Sequence, residues 1–151
     1  MYSNYIHLYD KKGSGVDGGG SVLGAWRTRD ITDEVSDDGN LCTLAANQIT
    51  LQPGTYRCFI SAPAFVTVNH QARLYNITDA AMELLGASCW NRGAISKAQT
   101  ISVINGRFTI AAQKTFEVQH QVEGNNVGDG WGIGNAWGDN IYTVVELWKE
   151  A

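Results

Sequence analysis

Between residues 116 and 122 the chain alternates without exception: Phe116, Val118, His120 and Val122 share one parity, and Glu117, Gln119 and Gln121 the other. Successive side chains leave a strand on opposite sides, so a two-residue period marks a strand with one buried and one wetted face. The same pattern recurs along the sequence. Residues 70–77 set His70, Ala72 and Leu74 against Gln71, Arg73 and Tyr75. Residues 55–62 follow the turn pair Pro53-Gly54 and stop at Pro63, and further short strands are predicted at 6–9, 23–28 and 48–51. Residues 141–149 close the chain with a strand whose two faces are both largely apolar: Ile141, Val145 and Leu147 on one, Tyr142, Val144 and Trp148 on the other. Asn105-Gly106, flanked by residues 101–104 and 107–110, predicts a hairpin, because Asn-Gly suits a type I′ turn. Helical periodicity is confined to residues 79–85, two turns ended by Gly86; residues 84–90 also read as a strand with Gly86 as a bulge or close approach. Together these signals predict an all-β antiparallel fold of about 8–10 short strands, a sandwich or jelly roll.

Composition narrows what such a sandwich does. At 151 residues the chain is one domain, and its 17% charged residues fall well below the ~25% usual for soluble proteins. No apolar run approaches the roughly 18 residues of a membrane-spanning helix, so membrane insertion is not expected. Met1-Tyr2-Ser3-Asn4-Tyr5 lacks the basic-then-apolar pattern of a secretory signal. A net charge of −4 gives no electrostatic reason to bind nucleic acid. Cys42, Cys58 and Cys89 are odd in number and match neither a zinc pattern nor a disulfide framework, so all three are read as reduced thiols of a protein made in a cytoplasm.

Twelve of the seventeen glycines lie in residues 13–24 and 124–138. The first run is read as a flexible hinge, which divides the chain into residues 1–22, a strand plus hinge, and residues 23–151, the jelly roll proper. The apolar residues Tyr5, Ile6, Leu8 and Tyr9 make 1–22 a candidate docking arm that adds a strand to a neighbour, or else the first strand of the domain's own sheet. The second run carries Trp131 and Trp137, candidate contact residues for a sugar or protein partner, or else lids that fold back on the sandwich. Trp26, Trp90 and Trp148 are expected in the core or on a sheet face.

Reactive chemistry is sought with little result. Neither glycine run is followed by the Lys-Ser or Lys-Thr of a phosphate-binding loop, and no Gly-x-Ser-x-Gly elbow is present. Asp30, Asp33, Glu34, Asp37 and Asp38 crowd one stretch without calcium-loop spacing, and a solvated turn-rich loop is expected there. His7, His70 and His120 stand far apart; His120, on the apolar side of its strand, is expected as a satisfied core residue, and a fold that brought His70 and His120 together would make them a buried polar pair. No catalytic residue, metal or cofactor is assigned.

Five segments carry a resemblance: Gly24-Ala25-Trp26-Arg27-Thr28-Arg29-Asp30, Asn47-Gln48-Ile49-Thr50-Leu51-Gln52-Pro53-Gly54-Thr55-Tyr56-Arg57, Ser61-Ala62-Pro63-Ala64, His70-Gln71-Ala72-Arg73-Leu74-Tyr75-Asn76 and Gln119-His120-Gln121. In this order, and with Val144-Val145-Glu146-Leu147-Trp148-Lys149-Glu150 at the end, the chain resembles the structural domains of tailed-bacteriophage virions that tip tail fibres and other appendages. The resemblance implies a jelly roll similar to the tumour-necrosis-factor and complement-head modules, assembled as a homotrimer. It also implies a non-enzymatic role on the virion, as a receptor-binding tip in host attachment. A capsid or tail decoration protein (a head fibre) and a lectin-like glycan-binding module are the alternatives. The expected partners are further copies of itself, other virion proteins and a host surface glycan or protein. Such modules usually end a long fibrous chain, whereas here Met1 stands almost at the module. The expectation is therefore either a separate gene product that docks on the particle or an excised tip.

Overall fold

The computed structural model describes residues 1–95 and 97–151. Its strands are β1 (Tyr2–Lys12), β2 (Arg27–Thr28), β3 (Asp33–Asp37), β4 (Cys42–Ala45), β5 (Gln48–Leu51), β6 (Gly54–Phe65), β7 (Asn69–Asn76), β8 (Ala81–Leu85), β9 (Cys89–Trp90), β10 (Gln99–Ile110), β11 (Lys114–Val122) and β12 (Asn140–Glu150). They pair antiparallel in two sheets: a five-stranded sheet in the order β10-β6-β12-β1-β3, and a seven-stranded sheet in which β4-β5-β11-β7-β8 is extended by β2 on β11 and β9 on β7. The architecture is the all-β jelly-roll sandwich expected from the alternation, with more strands because β2 and β9 are two-residue pieces.

The inner faces meet in one apolar core. Ile6 and Leu8 of β1, Cys58 and Ile60 of β6, Ile104 of β10 and Val145 and Leu147 of β12 face Ile49, Ala72, Leu74, Phe116 and Val118 of the other sheet. Tyr56, Phe108 and Phe116 run through its centre, with ring centroids 5.6 and 5.4 Å apart. A buried aromatic stack of this kind adds packing energy beyond its area.

Four local expectations are overturned by long-range pairing. Asn105-Gly106 makes no hairpin: β10 runs straight through it, with Asn105 opposite Phe59 and Gly106 opposite Cys58 on the unbroken β6. The twelve-residue ladder outweighs the turn propensity of one dipeptide. Gly106 serves instead as a close approach, since a Cβ there would lie 2.7 Å from Cδ2 of Leu84. Residues 81–85 are strand β8 rather than helix, held by pairing with β7. β6 continues past Pro63, which is tolerated because β12 pairs with β6 only as far as Ser61. Ile141 lies on the surface, not beside Val145 and Leu147, because the β1–β12 register shifts between Tyr9 and Lys11.

The acidic stretch is likewise not a loop throughout. Residues 33–37 form β3 on the edge of the five-stranded sheet, against β1. Its charges are met locally: Lys11 Nζ lies 3.3 Å from Asp33, and Lys12 Nζ reaches both Asp10 (2.9 Å) and Asp30 (2.8 Å). Asp37 accepts the backbone N–H groups of Leu41 and Cys42.

Candidate functional site

The two glycine runs, read from sequence as a hinge and a separate loop, fold against each other. Gly15 N–H donates to Asn135 O, Gly18 N–H to Gly132 O and Trp131 N–H to Gly19 O, while Ser21 and Asn126 exchange both backbone bonds. Glycine is required for this approach: a Cβ at Gly18 would lie 2.8 Å from Trp131 O, and one at Gly134 2.7 Å from Val16 O. The pairing drives Trp131 inward to 7% exposure and leaves Trp137 94% exposed at the loop tip. Of the two candidate contact residues, Trp131 is therefore enclosed, and Trp137 alone faces solvent.

Trp131 covers a buried polar chain that joins the two sheets. Arg29, 1% exposed, reaches from the segment after β2 across the end of the sandwich. Its Nη1 donates to Pro63 O (2.6 Å) and lies 2.8 Å from His120 Nδ1; its Nη2 donates to Trp131 O (3.1 Å). The guanidinium sits 4.6 Å from the Trp131 ring centroid, and that ring stacks on His120 at 5.0 Å. His120 Nε2 lies 2.9 Å from His70 Nδ1, and His70 Nε2 lies 2.7 Å from Thr100 Oγ1. A guanidinium only donates, which fixes the direction of the whole chain. His120 accepts at Nδ1 and donates from Nε2; His70 accepts at Nδ1 and donates from Nε2 to Thr100. Both imidazoles are thereby neutral. Burial pushes His70 down to about 4 and His120 well below its ordinary value, with the Arg29 charge acting in the same sense. Burial also lowers Arg29 to about 9, still cationic at neutral pH, with Asp10 and Asp30 supporting its charge.

The turn at this end is held by Asn91, which is buried. Its Oδ1 accepts the N–H groups of Thr67 (2.8 Å) and Val68 (2.9 Å). Val66 and Val68 take φ of 56° and 66°, a left-handed conformation that β-branched residues avoid. The arrangement stiffens one end of the sandwich, and among the described residues it holds no nucleophile with an activating base. Its polar groups are spent on each other.

The outward faces of the two sheets differ sharply. On the five-stranded sheet, registered rows run across three strands: Tyr5–Trp148–Arg57, His7–Glu146–Phe59 and Tyr9–Val144–Ser61. Tyr5, His7 and Tyr9 form a ladder with centroid spacings of 5.9 and 5.6 Å, and Tyr5 packs on Trp148 at 5.4 Å. Tyr5 Oη donates to Glu146 (2.6 Å), and desolvation together with this carboxylate pushes the phenol up to about 12. The seven-stranded sheet instead presents Gln71, Arg73, Tyr75, Glu117, Gln119 and Gln121 in paired rows, which exposed Leu85 and Met82 extend on β8. Of the candidate docking arm, Ile6 and Leu8 are core residues, and Tyr5 and Tyr9 stand in the aromatic ladder. β1 has β12 on one edge and β3 on the other. It is a strand of the domain's own sheet, paired on both edges between Ile6 and Tyr9.

Sequence reasoning raised the His70–His120 pair only as a contingency of the fold and missed Arg29, 91 residues from His120. The one available signal was a histidine of inward parity in each of two neighbouring strands.

No family model matches the chain, and no curated protein matches its sequence. Solved structures do match it in shape. The globular domain of a zebrafish complement 1qA protein superposes with a TM-score of 0.60 at 11% identity, covering 98% of this chain and 97% of that one. Murine APRIL gives 0.60 at 12% identity, with 97% and 98% covered. The Eiger TNF of S. frugiperda gives 0.62 at 10%, with 100% and 94% covered. At these identities the likeness concerns the fold: the chain has the jelly roll of the tumour-necrosis-factor and complement-head domains over its whole length.

Proposed function

We propose that this chain is a non-enzymatic, homotrimeric module of a tailed-bacteriophage virion, acting as the attachment tip of a tail fibre or similar appendage. The observation that carries the assembly is the aromatic face of the five-stranded sheet. Tyr5, His7, Tyr9, Phe59 and Trp148 lie there in register, half-buried or exposed, while the β7–β11 rows of the opposite sheet are mostly polar and its apolar side chains, Met82 and Leu85, stand on the outlying β8. An aromatic sheet face of this kind is stabilised by a second copy, and a closed ring of copies leaves no such face open. The virion role rests on the ordered motifs quoted above; the fold likeness supports the jelly roll. Trp137, exposed at the loop tip, is the residue of the glycine loop placed to meet a partner.

Light scattering after size exclusion tests the assembly: a mass about three times 16.4 kDa is expected, and a monomer refutes it. Trp148→Glu places a charge in the centre of the face and is expected to release monomers with unchanged far-ultraviolet dichroism. Immunogold labelling of particles tests the location. Label at the tail is expected; label on the shell replaces the tip by decoration, and unlabelled particles remove the virion role.

A further inference from the structure

The polar outward side of the seven-stranded sheet opens into a groove of about 450 Å³, within the ~300–1,000 Å³ typical of small-ligand sites. Strand pairing creates it. β8 covers β7 from Arg73 to Asn76, and β9 rejoins it at Asn69 and His70. Between them the chain swings away after Gly86, whose N–H closes on Ala72 O at 2.8 Å.

Trp26 forms one wall of the groove, and it is held as a rigid plate. The Arg73 guanidinium lies 4.2 Å from its ring centroid, and Arg73 is itself locked by two N–H donations to Gln119 Oε1 (2.9 and 2.8 Å). Beside Cys89 and Val122, the other walls are mostly polar side chains with free acceptors. The Gln71 amide donates to Gly86 O (2.8 Å) and the Asn69 amide donates to the Glu123 carboxylate, so each presents its oxygen as a remaining acceptor. Exposed Ser88 and Gln121 add a hydroxyl and a second amide. His70 at the floor has both ring nitrogens engaged and supplies shape only.

This combination selects a ligand class. An anion meets the Glu123 carboxylate, and the nearby Arg73 is committed to Gln119 and the indole. A purely apolar ligand would strand the amide and carboxylate acceptors without donors. A ligand with one flat C–H face and many hydroxyl donors satisfies both the indole and the acceptors. We infer that this groove is a saccharide-binding site, in which a sugar ring stacks on Trp26 and its hydroxyls donate to Asn69, Gln71 and Glu123. The groove lies on the sheet opposite the proposed self-association face. The chemistry stands on the groove alone; that the saccharide belongs to a host surface rests on the attachment reading.

The test titrates the intact protein with chitotriose, maltotriose and an array of bacterial surface polysaccharides, read by tryptophan fluorescence and saturation-transfer difference NMR. Saturable binding to at least one saccharide is expected, weakened about tenfold or more by Trp26→Ala and less by Trp26→Tyr, which keeps a ring. Gln71→Ala and Glu123→Ala test the acceptors, each expected to weaken binding several-fold at unchanged thermal stability. Absence of binding across the whole array overturns the inference. So does binding that survives Trp26→Ala, or binding lost only in Trp137→Ala. A trimer that binds no saccharide leaves the assembly standing without the groove, and a monomer that binds leaves the groove standing without the assembly.

Discussion

Acidification is the most direct probe of the buried chain from Arg29 to Thr100. Both histidines are neutral in the folded state; His120 sits on the Arg29 guanidinium and His70 on His120, so protonating either places like charges close together in a desolvated space. In the unfolded chain they titrate near 6.5, whereas in the fold His70 titrates at about 4 and His120 well below its ordinary value. The unfolded state therefore binds more protons, and stability rises with pH across this window. It is present above about pH 6.5 and lost as pH falls towards 4. For His70 the shift corresponds to about 3 kcal/mol at its upper limit, reduced to about 2 because one edge of the ring borders the groove and is screened by water. His120 adds to this in the same direction. Asp10 works against it, since burial raises its carboxyl and favours the acid form of the fold. Urea unfolding followed by tryptophan fluorescence between about pH 7 and about pH 4.5 is expected to show this loss of midpoint. The control is His70→Gln/His120→Gln, whose amides accept and donate in the same order without taking a proton. Its pH dependence is expected to be shallower by the histidine contribution. Equal slopes for the two proteins would refute the assignment of two neutral imidazoles.

Gly18→Ala is expected to lower stability by about 2 kcal/mol, because its Cβ meets Trp131 O at 2.8 Å and a Tyr142 ring carbon at 3.0 Å, and backbone gives way poorly. Differential scanning calorimetry reads this directly, and Gly128→Ala, where nothing lies within 4 Å, serves as its neutral counterpart. Asn91→Ala leaves the Thr67 and Val68 N–H groups without their acceptor beside two valines in left-handed conformation; a loss of about 2–4 kcal/mol is expected in chemical denaturation.

Legibility from sequence followed the range of the interaction responsible. Period-two alternation needs no knowledge of partners, and β7 and β11 lie where it put them, with His70, Ala72, Leu74, Phe116, Val118 and His120 buried on the predicted parity. Local turn and helix signals failed where a ladder competed with them. Asn105-Gly106 was absorbed into β10 by β6, and residues 79–85 were too few for a helix to resist pairing with β7. Arg29, Pro63, His70 and His120, which meet in one buried network, each belong to a different segment of those that carry the resemblance.

By itself the sequence determined that a sandwich of strands would form and which side of the clearly alternating strands, β7 and β11, would be wet. Those properties follow from the alternation of side chains along a single extended backbone. Tertiary structure alone decided the rest. It turned the two glycine runs into one mutual contact, sent Trp131 inside and Trp137 outside, and made β1 an inner strand of its own sheet. It also set the aromatic ladder on one outward face and the groove of Trp26 on the other. Each of these depends on which distant residues become neighbours, and neighbours across a sandwich are fixed by strand order and register, which no local pattern encodes.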